Sequence, residues 1–139
     1  MAERLLAHAL KNEDDPLNAL KVDSAGAAAY TGDPASPNAV NALEKVGIPL
    51  DDHRSKPVTE ELMNDAVAVF CMTEGHREII RGRFQGVPEH LYLMREFLPE
   101  EQGREIPDPF GADLSSYEAC RDSMVEAIPP IIRFLRRAI

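Results

Sequence analysis

The segment Asp108-Pro109-Phe110-Gly111 contains the residues of this sequence best suited to chemistry. A proline fixes its own φ and restricts the residue before it, so the Asp108 carboxylate is held on a rigid loop. The Phe110 ring and Pro109 can line a pocket, and Gly111 lets the chain turn away. This pattern predicts a general acid at the mouth of a site, and the alternative is an ordinary turn aspartate. A general acid also requires a nucleophile as its partner.

A cysteine and an arginine at the spacing Cys71-x5-Arg77 are one candidate partner. A cysteine phosphatase uses this spacing to place a thiolate, a loop of backbone N–H groups and an arginine around a phosphate. Here Glu74 puts a negative charge where the phosphate would bind, and Thr73 is a typical N-cap residue. We therefore favour a buried cysteine at a strand end, followed by a capped helix.

Other polar residues give weaker signals for chemistry. Ser24 has no adjacent base, and His53 fits a base, a buried hydrogen-bonding residue or a surface residue equally well. Asp51 and Asp52 are typical of a solvated loop rather than of metal ligands. The two cysteines belong to no metal-binding cluster, so we expect no metal site, no cofactor and no disulfide.

The composition predicts one globular domain, residues 1–139, which is long enough to bury a sizeable core. The chain is 44% hydrophobic and 28% charged, with a net charge of −9. That charge argues against nucleic acid and anionic membranes as partners, because both bind basic surfaces. Reduced cysteines and the lack of a leading apolar run predict a cytoplasmic protein.

Apolar runs bounded by turn residues predict strands at residues 19–23, 66–71 and 91–94. The run at 66–71 is unbroken, which is typical of a parallel strand buried on both faces. Helical patterns alternate with these runs. The fold class is therefore predicted to be α/β, with a mostly parallel sheet.

The C-terminal helix has two predicted features of its own. Ser115 and Glu118 fit a capping box at its start. Pro129 and Pro130 are expected to kink or break it, because proline removes a helical hydrogen bond.

Taken together and in order, the motifs of the whole chain resemble the low-molecular-weight protein tyrosine phosphatase family. The likeness is closest to its bacterial branch, which includes protein arginine phosphatases. The pair Ser-Ala-Gly and Asp-Pro-Phe-Gly at this separation is the most specific part. The matching segments are Ser24-Ala25-Gly26, Val40-x-x-Leu43, Gly47-Ile48, His53-Arg54-Ser55, Val58-Thr59, Cys71-Met72-Thr73, and Ile106 to Gly111 with Tyr117.

This resemblance implies a flavodoxin-like three-layer sandwich, in which helices flank a small parallel sheet. It implies that Asp108 protonates the leaving group, and that Ser24 and His53 support a phosphate-binding loop. It also implies that Cys71 is not the nucleophile. The expected reaction is hydrolysis of a phosphorylated protein through a cysteinyl-phosphate, without a metal or cofactor.

The sequence departs from the family pattern at its start, before the first helix. In the family, the nucleophilic cysteine and the phosphate-loop arginine precede a Ser-x-Met-Ala-Glu sequence, of which Met1-Ala2-Glu3 matches the last three residues. The first strand, the cysteine and the arginine are then expected upstream of residue 1. We therefore expect the chain as given to lack the nucleophile and to hydrolyse no phosphate ester alone. An incomplete sheet is also expected to favour homo-oligomers.

Two other functions stay open at this point. The chain fits a non-catalytic pseudophosphatase or binding module, since it carries the acid without the nucleophile. An arsenate reductase is ranked lower, because Cys71 and Cys120 lie too far apart in sequence for the expected disulfide exchange.

Overall fold

The computed structural model describes residues 1–27 and 29–139. This part of the chain contains five α-helices, two β-strands and two short 3₁₀ turns. The helices are α1 (Ala2–Lys11), α2 (Pro37–Glu44), α3 (Glu60–Asp65), α4 (Glu74–Arg83) and α5 (Leu114–Ala138); the strands are β1 (Val69–Cys71) and β2 (Leu91–Leu93); the turns are Leu17–Ala19 and Glu100–Gln102. None of the described helices is both long and apolar enough to span a membrane.

The two strands form a small parallel sheet, with Val69 opposite Leu91 and Cys71 opposite Leu93. Successive side chains of a strand point to opposite faces. Cys71 and Leu93 accordingly pack with residues of α3 and α4, whereas Phe70 packs against the larger cluster formed with α1, α2 and α5. Helices therefore flank both faces of the sheet, and the α/β prediction is confirmed.

Helix α5 supplies the longest buried stripe of the larger cluster. Its buried residues recur three or four positions apart, which places them on one face of the helix. They include Tyr117, Cys120, Met124, Ile131 and Leu135, each of which is at most 8% exposed. Because α1 and α2 both pack on this face, α5 is the element against which the rest of the chain is positioned.

The predicted strand at residues 19–23 is wrong. Residues Leu17–Ala19 form a 3₁₀ turn, in which the Leu20 N–H donates to the Leu17 carbonyl at 3.1 Å. Residues 20–24 have no regular secondary structure, although Leu20 and Val22 pack against the larger cluster. A strand requires a neighbouring backbone with which to exchange hydrogen bonds, and residues 20–24 have none.

The predicted strand at residues 66–71 is shorter and less buried than expected. Only Val69–Cys71 form β1, and Val67 is 47% exposed. The sheet described here has two strands, so β1 has a strand neighbour on one side. Its side chains are buried only where they reach one of the two hydrophobic clusters. An apolar run alone cannot show how many neighbouring strands cover it.

Both predictions for the last helix need correction. The N-cap is Asp113, whose Oδ1 accepts the Ser116 N–H at 3.0 Å, and Ser115 lies inside the helix. The charged carboxylate is a stronger acceptor for N-terminal N–H groups than a hydroxyl. Pro129 and Pro130 do not end the helix, because packing on both sides of them, from Ala127 to Leu135, holds it in place.

Candidate active site

The Asp108 loop is held by its own backbone. The Phe110 N–H donates to Asp108 Oδ1 at 3.0 Å, and the Ala112 N–H donates to the Pro109 carbonyl at 2.8 Å. Gly111 has a φ of +82°, a conformation that L side chains rarely adopt. The turn therefore aims one exposed carboxylate away from the core with little freedom to rotate.

Contacts on both sides anchor this loop to the rest of the fold. Ile106 is 2% exposed, and its N–H donates to the Met72 carbonyl at 2.9 Å, just after β1. On the other side, the Asn38 side-chain amide of α2 donates to the Ala112 carbonyl at 3.3 Å. The loop then enters α5 at its N-cap, Asp113. Asp108 is thus fixed relative to β1, α2 and α5 together.

Asp108 lies in an open groove of about 380 Å³ between its loop and α5. Pro109 lines this groove, whereas the Phe110 ring is 79% exposed and lies outside the lining. The lining residues are Ile106, Pro107, Asp108, Pro109, Ala112, Ser116, Ala119, Cys120 and Ser123. The loop side of the groove is thus apolar apart from the Asp108 carboxylate, and the α5 side contributes the hydroxyl groups of Ser116 and Ser123.

Ser24 is linked to the first turn of α1. Its hydroxyl donates to Glu3 Oε1 at 2.6 Å, and Glu3 Oε2 accepts from Arg4 Nε at 3.1 Å. Arg4 in turn donates to Asp52 Oδ1 at 2.7 Å, next to His53 in sequence. A continuous polar network therefore joins the Ser24 segment, α1 and the His53 loop.

Backbone hydrogen bonds hold the Ser24 segment beside the residues that follow His53. The Gly26 N–H donates to the Lys56 carbonyl at 3.0 Å, and the Val58 N–H donates to the Gly26 carbonyl at 3.2 Å. Gly26 and Pro57 form an isolated parallel bridge at this point. Two segments far apart in sequence thus converge at α1.

The protonation of His53 depends on burial and on α1. Partial burial lowers the pKa of His53 below its ordinary value, while the nearby Glu3 carboxylate opposes this shift. The neutral imidazole is therefore favoured at pH 7. The group suits hydrogen bonding better than a permanent positive charge.

We expect His53 to titrate below the ordinary value of about 6.5, and Glu3→Gln to lower its pKa further by removing the opposing charge. Because the folded pKa lies below the unfolded one, His53 contributes stability that is present above about pH 6.5 and is lost as the pH falls through the folded pKa. NMR titration of the imidazole measures the pKa of His53 in the parent chain and in Glu3→Gln. Glu78→Gln, on the exposed surface of α4, is the control, and an equal shift there would contradict this interpretation.

Cys120 connects the acid to α1. Burial raises the pKa of the Cys120 thiol, the Met1 amino group lowers it, and the Asp108 carboxylate raises it further. These charges act on the thiol only because the start of α1 and the Asp108 loop both lie close to this part of α5. Asp108 and Cys120 line the same groove, and Ser24 is bonded to Glu3 in the first turn of α1.

The Cys71 and Arg77 pair has a different environment. Burial raises the pKa of Cys71 to about 11, so the thiol is protonated at neutral pH. Arg77 forms an ion pair with Glu74 and donates to Glu96 Oε1 at 2.7 Å. Thr73 caps α4 through the His76 N–H at 3.2 Å. These side chains are engaged with one another rather than arranged around an anion.

We expect Cys71 to be unreactive toward a disulfide reagent such as Ellman's reagent in the folded protein. With a pKa about two units above that of a free thiol, the thiolate fraction falls about 100-fold. The Cys120→Ser variant isolates this thiol, and the rate at pH 7 with and without denaturant measures it. A rate in the folded protein equal to that in denaturant would show that Cys71 is accessible.

Comparison with known proteins decides the family. A model of the low molecular weight phosphotyrosine protein phosphatase family matches residues 1–138. The chain belongs to this family. The resemblance expected from the motifs is thereby confirmed.

Within the residues that the structure describes, no three His, Cys, Asp or Glu side chains lie close enough together to hold a metal ion.

Several individual members of the family are similar to this chain. It is 34% identical over 137 residues to a protein-arginine-phosphatase of Bacillus subtilis, which covers 99% of this chain and 88% of that protein. Its fold is similar to a YwlE mutant from Bacillus subtilis, with a TM-score of 0.83, 31% identity and coverage of 97% and 88%. A YwlE arginine phosphatase mutant with a phosphorylated active site serine matches with a TM-score of 0.83, 31% identity and coverage of 99% and 90%.

The structure of this family member brings the sequence-predicted residues together in two groups. Asp108 and Pro109 lie in the groove along α5, and Ser24 and His53 lie on either side of the Glu3–Arg4 network. Their catalytic and supporting roles stay predictions. Glu3 and Asn38 were not singled out from the sequence, because nothing in the spacing links Glu3 to Ser24 or Asn38 to Ala112.

Proposed function

We propose that this chain carries the general acid and the supporting residues of a protein phosphatase that acts on phosphoarginine or phosphotyrosine. The observation that carries the proposal is that the Asp108 carboxylate is held on a fixed loop beside α5, while Ser24 and the loop before His53 are bonded to the first turn of α1. The N-terminus of a helix favours anions. Phosphoarginine is preferred, because the 34% identical relative is a protein-arginine-phosphatase. Phosphotyrosine is the alternative that the name of the family suggests.

In the proposed reaction, a cysteine thiolate attacks the phosphorus atom and forms an S–P bond. The P–N or P–O bond of the substrate breaks, and the Asp108 carboxyl group gives its proton to the leaving nitrogen or oxygen. Water then attacks the phosphocysteine while Asp108 accepts a proton. Inorganic phosphate leaves and the thiolate is regenerated. The similar YwlE mutant with a phosphorylated active site serine supports a phosphoenzyme intermediate.

We further propose that the 139-residue chain alone does not hydrolyse phosphate esters. Cys71 is buried and protonated, and Cys120 lies within helix α5 with its pKa raised by burial. Arg121, next to Cys120, is bonded to the Ala42 carbonyl at 2.9 Å and to Asp122. Neither cysteine therefore has a phosphate-binding loop. A nucleophile is proposed to come from a segment that leads into α1.

The test compares the chain with a chimera. In the chimera, the segment that precedes the equivalent of Met1 in the Bacillus subtilis protein-arginine-phosphatase is joined to Met1. We expect the chain to show background turnover of p-nitrophenyl phosphate and of phosphoarginine or phosphotyrosine peptides, and the chimera to be active. Replacing the cysteine of the grafted segment by alanine is the control. Turnover by the chain alone that is lost in Asp108→Ala would contradict the proposal.

A non-catalytic binding module is the second candidate, and one observation favours it. Both ends of β1 are bonded to residues that flank β2. The Val69 N–H donates to the His90 carbonyl at 2.9 Å, and the Met94 N–H donates to the Cys71 carbonyl at 2.8 Å. The backbone groups of Phe70 therefore point away from β2, and no strand in the described part of the chain pairs with this edge of β1. We propose self-association at this edge, which sedimentation measures. A monomer at all concentrations would contradict it.

The proposed partners and location follow from the same features. The substrate is a phosphorylated protein, and the net charge of −9 supports neither nucleic acid nor an anionic membrane as a partner. Two free cysteines are consistent with the reducing cytoplasm.

A further inference from the structure

Arg95 is a buried charge that the proposed chemistry does not use. It lies two residues after the end of β2, and it is 4% exposed. The carboxylate with which it forms an ion pair, Glu126, is 57% exposed and 3.5 Å away. A guanidinium is costly to bury, so three shorter hydrogen bonds account for its position.

Those three bonds all go to backbone carbonyl groups. Nε donates to Gly103 at 2.9 Å, and one terminal nitrogen donates to Gln102 at 2.9 Å. The other terminal nitrogen donates to Ser123 of α5 at 2.8 Å. Arg95 therefore clamps the turn that precedes the Asp108 loop to the middle of α5.

The clamp lies at one end of the groove that contains Asp108. Ser123 lines this groove with Cys120, and Ile106 and Asp108 line it from the loop side. The loop is held at the opposite end, where Asp113 caps α5. Arg95 at one end and the cap at the other therefore both tie the loop to α5.

We propose that Arg95 is a positioning residue for Asp108, holding the loop at the distance from α5 that general acid catalysis requires. This inference rests on the proposed role of Asp108. Proton transfer in the transition state depends on geometry at the scale of about 1 Å, so a looser clamp slows protonation of the leaving group without touching substrate.

Two variants distinguish the effect of the three backbone hydrogen bonds of Arg95 from the effect of its ion pair with Glu126. Arg95→Lys keeps a positive charge but loses the planar fork that reaches three carbonyl groups. Glu126→Gln removes the ion pair and leaves all three backbone bonds in place. If the proposal holds, only Arg95→Lys affects Asp108.

The first experiment uses the 139-residue chain and needs no activity. The Phe110 N–H donates to Asp108 Oδ1, so its hydrogen exchange, followed by NMR, reports the position of the carboxylate. We expect Arg95→Lys to speed exchange at Phe110 and Ile106 by about fivefold or more, because it loosens the loop locally. Amides of α1 should be unchanged, and Glu126→Gln should have no effect. No change at Phe110, or an equal increase in α1, would overturn the proposal.

The second experiment uses the chimera and two substrates that differ in leaving group. Phenyl phosphate depends on the general acid more than p-nitrophenyl phosphate does, because phenoxide is the poorer leaving group. We expect Arg95→Lys to lower kcat for phenyl phosphate about tenfold more than for p-nitrophenyl phosphate. In an Asp108→Asn background this difference should vanish.

The outcomes distinguish the inference from the function on which it rests. An equal loss with both substrates, or a difference that persists in Asp108→Asn, would show that Arg95 acts on something other than the acid. A chimera that hydrolyses neither substrate would count against the proposed function. Hydrogen exchange at Phe110 would then still decide whether Arg95 positions Asp108.

Discussion

Replacing Asp108 by asparagine in the chimera is expected to lower kcat by about 10²–10⁴-fold, the usual contribution of a positioned general acid. Asparagine can keep the hydrogen bond from the Phe110 N–H, so the loop should retain its conformation. What it cannot do is give a proton to the leaving group. Steady-state turnover of phenyl phosphate and of a phosphoarginine peptide measures the loss.

The control for this prediction is Asp65→Asn, which removes the same charge at the exposed end of α3. Helix α3 packs on the face of the sheet opposite α5, so kcat should be unchanged. If Asp108→Asn has the same kcat as the parent chimera, Asp108 is not the general acid. An equal loss in Asp65→Asn would instead point to net charge.

Replacing Arg95 by methionine is expected to reduce the free energy of unfolding by about 3 kcal/mol. The variant keeps a long apolar stem but leaves the carbonyl groups of Gln102, Gly103 and Ser123 without their buried donor. A hydrogen bond from a charged donor contributes about 1.5–3 kcal/mol. Gln102 and Gly103 are exposed, so water at their carbonyl groups recovers part of the total. For a domain of this size the loss corresponds to a fall in Tm of roughly 10 °C.

Arg133→Met is the matched control, because it removes the same side chain from an exposed position of α5. Its expected effect is within about 0.5 kcal/mol, as for most surface substitutions. Urea unfolding followed by circular dichroism measures both variants. Equal stabilities of Arg95→Met and Arg133→Met would show that the clamp contributes nothing to the fold.

Local signals predicted the helices well. Thr73 caps α4 as the sequence indicates, and Thr59 caps α3 in the same way, with hydrogen bonds of 3.2 Å from N–H groups three residues later. A cap depends on residues within one turn, so a single sequence contains the whole interaction. The strand prediction at 19–23 was wrong, because whether an extended segment becomes a strand depends on a neighbour elsewhere in the chain.

The prolines of α5 also show that local sequence does not decide the structure, because here packing preserves an element that the sequence predicts to be interrupted. Proline in the interior of a helix is locally unfavourable, and the sequence alone therefore predicts a kink or a break. Buried contacts of Ala127, Ile128 and Ile131, which are at most 8% exposed, outweigh that cost. Only the tertiary packing of α5 against α1 and α2 decides the outcome.

By itself, the sequence determined that Asp108 lies on a rigid loop, that Thr73 belongs to a helix cap, and that the chain resembles one family of phosphatases. These conclusions depend on neighbouring residues and on ordered motifs. The tertiary structure alone decided that Glu3 holds Ser24 and that Arg95 holds the turn before Asp108. Each of these contacts joins segments whose approach depends on how the helices pack, and no local pattern of residues encodes that distance.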